Sequence, residues 1–177
     1  LKEKLFADLR GDVTNINELF SVVGEYKPDF VFHLAAQAMV RTSYDEPVLT
    51  YKTNVLGTAN ILEAIRKFDF LKGGVMITTD KCYKDKNKIE GYNEEDELGG
   101  YDPYAASKAC AELVINSYNQ SFFKNSNKYV ASVRAGNVIG GGDRGENRLI
   151  PDSIRSLENN QSIKVRNPAH VRPWQFV

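Results

Sequence analysis

Three short apolar runs, residues 29–34 (DFVFHL), 74–79 (GVMITT) and 129–134 (YVASVR), constrain this chain more than any other feature. Each suits a strand buried in a parallel sheet better than a strand with one wet face. Parallel neighbours need long crossovers, and the intervening sequence supplies them. Stretch 47–68 carries Val55, Ala59, Leu62 and Ile65 in helical register, and 104–123 does likewise with Ala111, Leu113, Val114 and Tyr118. Stretch 15–26 places Ile16, Leu19, Phe20 and Val23 on one helix face. This alternation predicts an α/β fold built on a doubly wound parallel sheet. Residues 5–9 and 163–166 are expected as further strands, 152–159 as a helix, and the closing Trp174-Gln175-Phe176-Val177 as buried structure.

Charge and cysteine content narrow the partners. The 23 basic side chains balance the 23 acidic ones, so nothing points to nucleic acid or an anionic membrane surface. No apolar run approaches the ~18 residues a membrane span needs. The two cysteines, Cys82 and Cys110, give neither a disulfide framework nor a C-x-x-C spacing, and a cytoplasmic protein is expected. His33 lies within a predicted strand and His170 has no partner at metal-ligand spacing, so no metal is expected. The lysine-rich run 84–88 and the acidic run 94–97 fall in a long loop and read as solvated surface.

In doubly wound sheets ligands bind beyond the carboxyl ends of the strands. Ala35, Ala36 and Gln37 follow the first run, Thr79 ends the second with Asp80 and Lys81 directly after it, and Gly136, Asn137 and Val138 follow the third. Tyr104 and Lys108 are four apart on a predicted helix and share one face. An ammonium one turn away favours the phenolate, which can then take a proton from a substrate hydroxyl. The pair is weak evidence alone, since about 0.7 such pairs arise by chance in a chain of this composition.

The motifs gain weight together. Gly11-Asp12-Val13, His33-Leu34-Ala35-Ala36-Gln37, Thr53-Asn54-Val55 with Gly57-Thr58, Tyr104-Ala105-Ala106-Ser107-Lys108 and the run 134–142 (RAGNVIGGG) resemble the extended short-chain dehydrogenase/reductase family in order and spacing. The resemblance implies a Rossmann-like, NAD-binding domain over 1–150, with 151–177 beginning a substrate-binding portion. Within the family, the acid directly after Thr79 resembles the nucleotide-sugar 4,6-dehydratase branch. Lys81 in place of glutamate, with Cys82-Tyr83, the run 99–104 (GGYDPY), 148–152 (RLIPD) and 172–175 (RPWQ), is similar to the members acting on CDP-glucose. Phe176 departs from the histidine those relatives often carry.

The resemblance assigns roles residue by residue. Tyr104, Lys108 and Thr79 would remove the C4 hydroxyl proton, Asp80 would protonate the leaving C6 oxygen, and Lys81 would act at C5. Lys81 is either a neutral base or a charged stabiliser of the enolate, because an ordinary lysine is protonated at neutral pH. Asp12 and Val13 would meet the adenine, Leu34, Ala35, Ala36 and Gln37 the ribose and diphosphate of NAD, and Thr53 and Val138 the nicotinamide. Asn137 and Arg172 would hold the sugar-nucleotide diphosphate, with Thr79 at the sugar and Arg148 and Arg144 as looser candidates. A homodimer is implied through 47–68 and 104–123.

No Gly-x-x-Gly-x-x-Gly loop occurs in these 177 residues. The chain is therefore expected to be a fragment lacking the opening strand, that loop and most of a carboxyl-terminal substrate domain, and to be inactive alone. The competing expectations are a dehydratase or epimerase for a dTDP, GDP or other nucleotide sugar, and a non-catalytic NAD-binding regulator of the same fold.

Overall fold

The structure is a computed structural model that describes residues 5–86 and 88–177; Asn87, inside the lysine-rich run, lies outside the described residues. The chain divides into two compact units, Leu1–Arg134 and Ala135–Val177.

The first unit is built on a three-stranded sheet in the order β1 (Phe30–His33), β2 (Gly73–Thr79), β3 (Tyr129–Ala135). Strands β1 and β2 pair in parallel, with His33 opposite Met76. Before them runs α1 (Ile16–Tyr26), capped by the Asn15 side chain, which accepts from the Glu18 N–H. The β1–β2 crossover holds α2 (Val40–Asp45), α3 (Pro47–Tyr51), a π-helical turn over Lys52–Leu56, and α4 (Gly57–Lys67). The β2–β3 crossover holds α5 (Pro103–Tyr118), which runs into a second π-helical turn, Asn119–Phe123. Leu62, Ile65, Leu71, Met76, Ile115 and Phe123 make the core between these helices and the sheet. Gly73 is required at the edge of β2, since a Cβ there would lie 1.9 Å from the Tyr129 carbonyl oxygen. Lys128 ties β3 to the end of α4 by donating to the carbonyls of Ile65 at 2.5 Å and Phe68 at 2.9 Å. It satisfies acceptors that a helix terminus leaves open.

The second unit pairs β4 (Asn137–Ile139) in parallel with β5 (Trp174–Phe176), and carries α6 (Leu149–Glu158). No described helix is long and apolar enough to cross a membrane.

Five expectations need correction. Residues 5–9 and 163–166 are not strands: neither run joins a sheet, and Leu5, Leu9, Ile163 and Val165 are exposed. A β-prone run without a neighbour has nowhere to place its backbone hydrogen bonds. Only β2 is largely buried; Phe30 and Phe32 of β1 and Tyr129 of β3 are exposed along an open groove of about 540 Å³, and Val133 of β3 is exposed as well. Stretch 47–68 is one helical path in three segments, broken by a π-turn whose Asn54 is fully engaged elsewhere, and 104–123 likewise ends in a π-turn. The run 174–177 is exposed, with Phe176 82% and Val177 81% accessible. Helix α2 carried no periodic signal and was not expected; Pro47 forces the break after it, with Glu46 out of the helical region at φ −130° and ψ 66°.

The charged loop is solvated, as expected, but organised. Lys84 and Lys86 pair with Glu97 at 2.7 and 3.0 Å, and Lys88 pairs with Asp96. These ion pairs flank an antiparallel bridge between Tyr83 and Leu98.

Candidate functional site

The parallel pairing of β1 and β2 brings their carboxyl ends to one edge of the sheet. Leu34 to Gln37 follow β1, Thr79 ends β2 with Asp80 and Lys81 after it, and Tyr104 and Lys108 lie at the start of α5, whereas Asp12 and Val13 precede α1 and contact Thr14 and Asn60.

Helix α5 begins where the Asp102 carboxylate accepts from the Ala105 N–H at 2.9 Å and Pro103 occupies the first turn. Gly100 permits this start, because a Cβ there would sit 2.2 Å from that of Ala105. Tyr104 lies in the first turn and Lys108 one turn later, so both project from one face. Lys108 is only 7% exposed, and its ammonium donates to the Ile77 carbonyl at 3.1 Å. Burial lowers the Lys108 pKa, while the Glu112 carboxylate opposes that shift.

Thr79 ends β2 and caps a single 3₁₀ turn, Asp80–Cys82. Its hydroxyl donates to the Asp80 carboxylate at 3.1 Å and accepts from the Lys81 N–H at 3.4 Å. The Lys81 ammonium lies 3.5 Å from the same Asp80 oxygen. Both side chains are about one-third open to solvent, at 28% for Lys81 and 31% for Asp80. Cys82, behind them, is wholly buried, and burial pushes its thiol up to about 11, so it is not a nucleophile.

At the end of β1, Leu34 and Ala35 are exposed and Ala36 half-buried, with small side chains near accessible backbone. Gln37 is held from both sides. Its N–H donates to the Asn54 side-chain oxygen Oδ1 at 2.8 Å, and its main-chain carbonyl accepts from the Asn54 side-chain Nδ2 at 3.0 Å. That amide also donates to the Ser107 hydroxyl at 2.9 Å. Asn54 therefore locks the loop after β1 to α5, next to half-buried Thr53. Asp12 accepts from the Thr14 N–H at 2.8 Å, which lowers its pKa, and the Val13 carbonyl accepts from Asn60 at 3.0 Å.

His33 is buried with its Nε2 3.2 Å from the Thr58 hydroxyl oxygen. Burial, then the positive charge of Lys108, lower its pKa to about 4. Among the described residues no cluster of histidine, cysteine and acidic side chains could hold a metal ion.

The second unit carries the remaining candidates. Val138 is exposed in β4, and the Asn137 amide donates to the Pro173 carbonyl at 3.1 Å. Arg148 pairs with Asp143 at 3.1 Å, while Arg172 donates to His170 Nδ1 at 3.1 Å. Arg144 is exposed.

Three residues at the edge of the first unit were absent from the sequence-derived site. Asn54 stood inside a quoted motif, but nothing in spacing revealed its two hydrogen bonds to Gln37. Glu112 and Arg134 form a buried ion pair at 3.0 Å. The one available signal was Glu112 lying four residues beyond Lys108.

Against this geometry stand the comparisons with known proteins. The family model described as GDP-mannose 4,6 dehydratase matches residues 2–177. The chain belongs to this family. CDP-glucose 4,6-dehydratase of Salmonella typhimurium is 50% identical over 172 residues, 94% of this chain and 48% of that protein. CDP-paratose 2-epimerase of Salmonella typhi is 32% identical over 136 residues, 68% of this chain and 40% of that protein. Among solved structures, a double mutant of the dTDP-glucose 4,6-dehydratase DesIV from Streptomyces venezuelae, with NAD bound, matches at a TM-score of 0.81 and 26% identity, covering 94% of this chain and 49% of that one. The chain thus spans about half the length of the curated relatives it matches. The fold is the Rossmann-like parallel sheet with flanking helices that the motifs implied.

Proposed function

We propose that the whole protein is an NAD-dependent nucleotide-sugar 4,6-dehydratase that converts CDP-glucose to CDP-4-keto-6-deoxyglucose and water. The observation that carries this reading is the Thr79–Asp80–Lys81 turn, in which an acid and an amine 3.5 Å apart follow directly on the strand that Lys108 of α5 grips. The 50% identity to a CDP-glucose 4,6-dehydratase supports the choice of sugar nucleotide.

The residues present suit NAD. Lys108 spends one of its three ammonium hydrogens on Ile77, leaving donors for ribose hydroxyls beside Tyr104. Small residues Ala35 and Ala36 let a ligand approach the backbone after β1, and Asp12 offers a carboxylate for an adenine amino group. Gln37 keeps that loop fixed through Asn54, with Thr53 for the nicotinamide. Bound NAD supplies a two-electron oxidation at C4 and returns the electrons at C6.

The protein's own groups handle the protons. Tyr104, with Lys108 and Thr79, takes the C4 hydroxyl proton as the C4 ketone forms. The ketone acidifies C5. Lys81 removes the C5 proton, the C5–H electron pair becomes the C5–C6 double bond, and the C6–O bond breaks as Asp80 protonates the departing oxygen. Water leaves, and C5 regains a proton when C6 is reduced. The Asp80–Lys81 ion pair and the neutral acid–amine pair contain the same number of protons. Lys81 gains a proton from C5 as Asp80 gives one to the departing oxygen, so the pair holds the same number of protons before and after elimination. Asn137, Arg148 and Arg172 would grip the substrate diphosphate.

We also read the whole protein as a cytoplasmic homodimer. Leu56 and Leu113, on the two crossover helical paths, expose apolar surface suited to a subunit interface.

The test is to supply the full-length protein with NAD and, separately, CDP-glucose, dTDP-glucose and GDP-mannose, following sugar mass. Loss of one water from CDP-glucose alone is expected. Retention of mass with all three would overturn the reading, and epimerisation without water loss would favour the epimerase branch.

A further inference from the structure

Behind the candidate site lies a polar network that the proposed mechanism does not use. Glu112, 4% exposed, accepts hydrogen bonds from the Thr78 hydroxyl, from the Ser132 hydroxyl at 2.9 Å and from Arg134 at 3.0 Å. Burial pushes the Glu112 carboxyl up, but those three donors outweigh it and its pKa ends below the usual value. Arg134 does not stop at Glu112. Its other terminal nitrogen donates to the Tyr83 hydroxyl at 3.0 Å and to the Glu94 carbonyl at 3.1 Å. Tyr83 directly follows the Asp80–Cys82 turn, and its N–H returns to the Asp80 carbonyl at 3.4 Å. The Tyr83 ring stacks on Tyr92 with centroids 5.0 Å apart.

The connectivity is specific. Tyr104, Lys108 and Glu112 are spaced by four along α5, so the helix that presents the oxidation pair also presents the anchor of Arg134. Arg134 then reaches the loop that presents the elimination pair. A buried ion pair is poor value for stability, since apolar residues of like volume commonly serve as well. What a guanidinium adds is a rigid fork with fixed donor directions. Here the fork holds α5 on one side and the segment after β2 on the other.

We propose that Arg134, oriented by Glu112, is a positioning residue for elimination: through the Tyr83 hydroxyl and the Glu94 carbonyl it sets the Asp80–Lys81 turn against α5. The assignment rests on the dehydratase reading. Oxidation at C4 depends on Tyr104 and Lys108, which α5 carries whether or not the fork is closed. Elimination depends on where the turn sits, and a displacement of about 1 Å can cost about a hundredfold in rate.

The experiment uses the full-length protein and its Arg134→Met, Arg134→Lys and Tyr83→Phe variants. Each is mixed rapidly with NAD and CDP-glucose, and absorbance of the reduced cofactor is followed beside release of water by sugar mass. Backbone amide exchange over 80–83 is measured in parallel on the NAD-loaded protein. In Arg134→Met the C4 oxidation should keep its rate while water release slows about a hundredfold, so reduced cofactor accumulates. Exchange over 80–83 should quicken with that over α5 unchanged. Arg134→Lys should recover part of the elimination, and Tyr83→Phe should shift the balance in the same direction by a smaller factor. Equal slowing of both steps, or an unchanged balance with unchanged exchange, would overturn the proposal; if Arg134→Met fails to fold, Tyr83→Phe decides. A parent protein that releases no water from CDP-glucose sinks the dehydratase reading instead. In that event faster exchange in the variants upholds the link from Arg134 to the turn, and unchanged exchange removes it.

Discussion

Lys108 donates to the main-chain carbonyl of Ile77 at 3.1 Å, so the ammonium beside Tyr104 is fixed by β2 itself rather than by another side chain. Such an ammonium is costly to bury, and its pKa is lowered by that burial. Lys108→Met in the full-length protein should therefore lose about a thousandfold in turnover without losing stability. Thermal unfolding at or above the parent's temperature, beside the lost turnover, is the expected pairing. A variant that unfolds well below the parent would mean that Lys108 supports the fold.

The Asp80–Lys81 contact separates oxidation from elimination. Asp80→Asn should still reduce the cofactor on mixing with CDP-glucose, yet release water about a hundred to ten thousand times more slowly. For Lys81→Met the informative measurement is deuterium uptake at C5 in heavy water. Lost uptake with oxidation intact is expected for a base. Uptake that persists at the parent rate would assign Lys81 to stabilising the enolate.

Asn54 is 1% exposed, and its side chain makes three hydrogen bonds, two with Gln37 and one with Ser107. Asn54→Ala would strand the Gln37 N–H and carbonyl, which should cost about 2 kcal/mol and loosen the loop after β1. Chemical denaturation of the full-length protein should register the loss, and NAD titration should give a dissociation constant raised about tenfold. Unchanged NAD affinity in a destabilised variant would confine Asn54 to the fold.

Legibility followed the range of the interactions. Strands β1, β2 and β3, and helices α1 and α5, were readable because apolar runs and apolar period are local. The Tyr104–Lys108 spacing was visible as one helical turn, and the contiguous Thr79–Asp80–Lys81 triplet stood out only through the family resemblance. The Glu112–Arg134–Tyr83 connection joins a helix, a strand and a loop that meet only on folding, so no spacing encodes it. The false strand at 5–9 failed for the opposite reason. Its local preference is sound, but strand formation depends on a neighbour, and the described sheet offers it none. Exposure of Phe30 and Phe32 was hidden likewise, because an apolar strand reads the same whether one face or both are covered.

His33 should make stability depend on acid. The Thr58 hydroxyl donates to the Asn54 carbonyl at 2.7 Å, so its oxygen accepts from His33 Nε2, and the ring is buried neutral. Its folded pKa of about 4 lies below the ordinary 6.5, first through burial and then through the charge of Lys108. Between those values the unfolded chain binds the proton and the folded one does not, so stability rises with pH across that window and falls on acidification. The histidine's share is about 3 kcal/mol, complete above pH 6.5 and lost as pH drops toward 4. His33→Gln keeps an amide donor for Thr58 and cannot titrate. Denaturant unfolding of the full-length protein at several pH values between 4 and 7 should give a shallower slope for the variant than for the parent. Parallel slopes would mean that His33 takes up its proton in the fold as readily as in the unfolded chain, and the buried neutral ring would have to be abandoned.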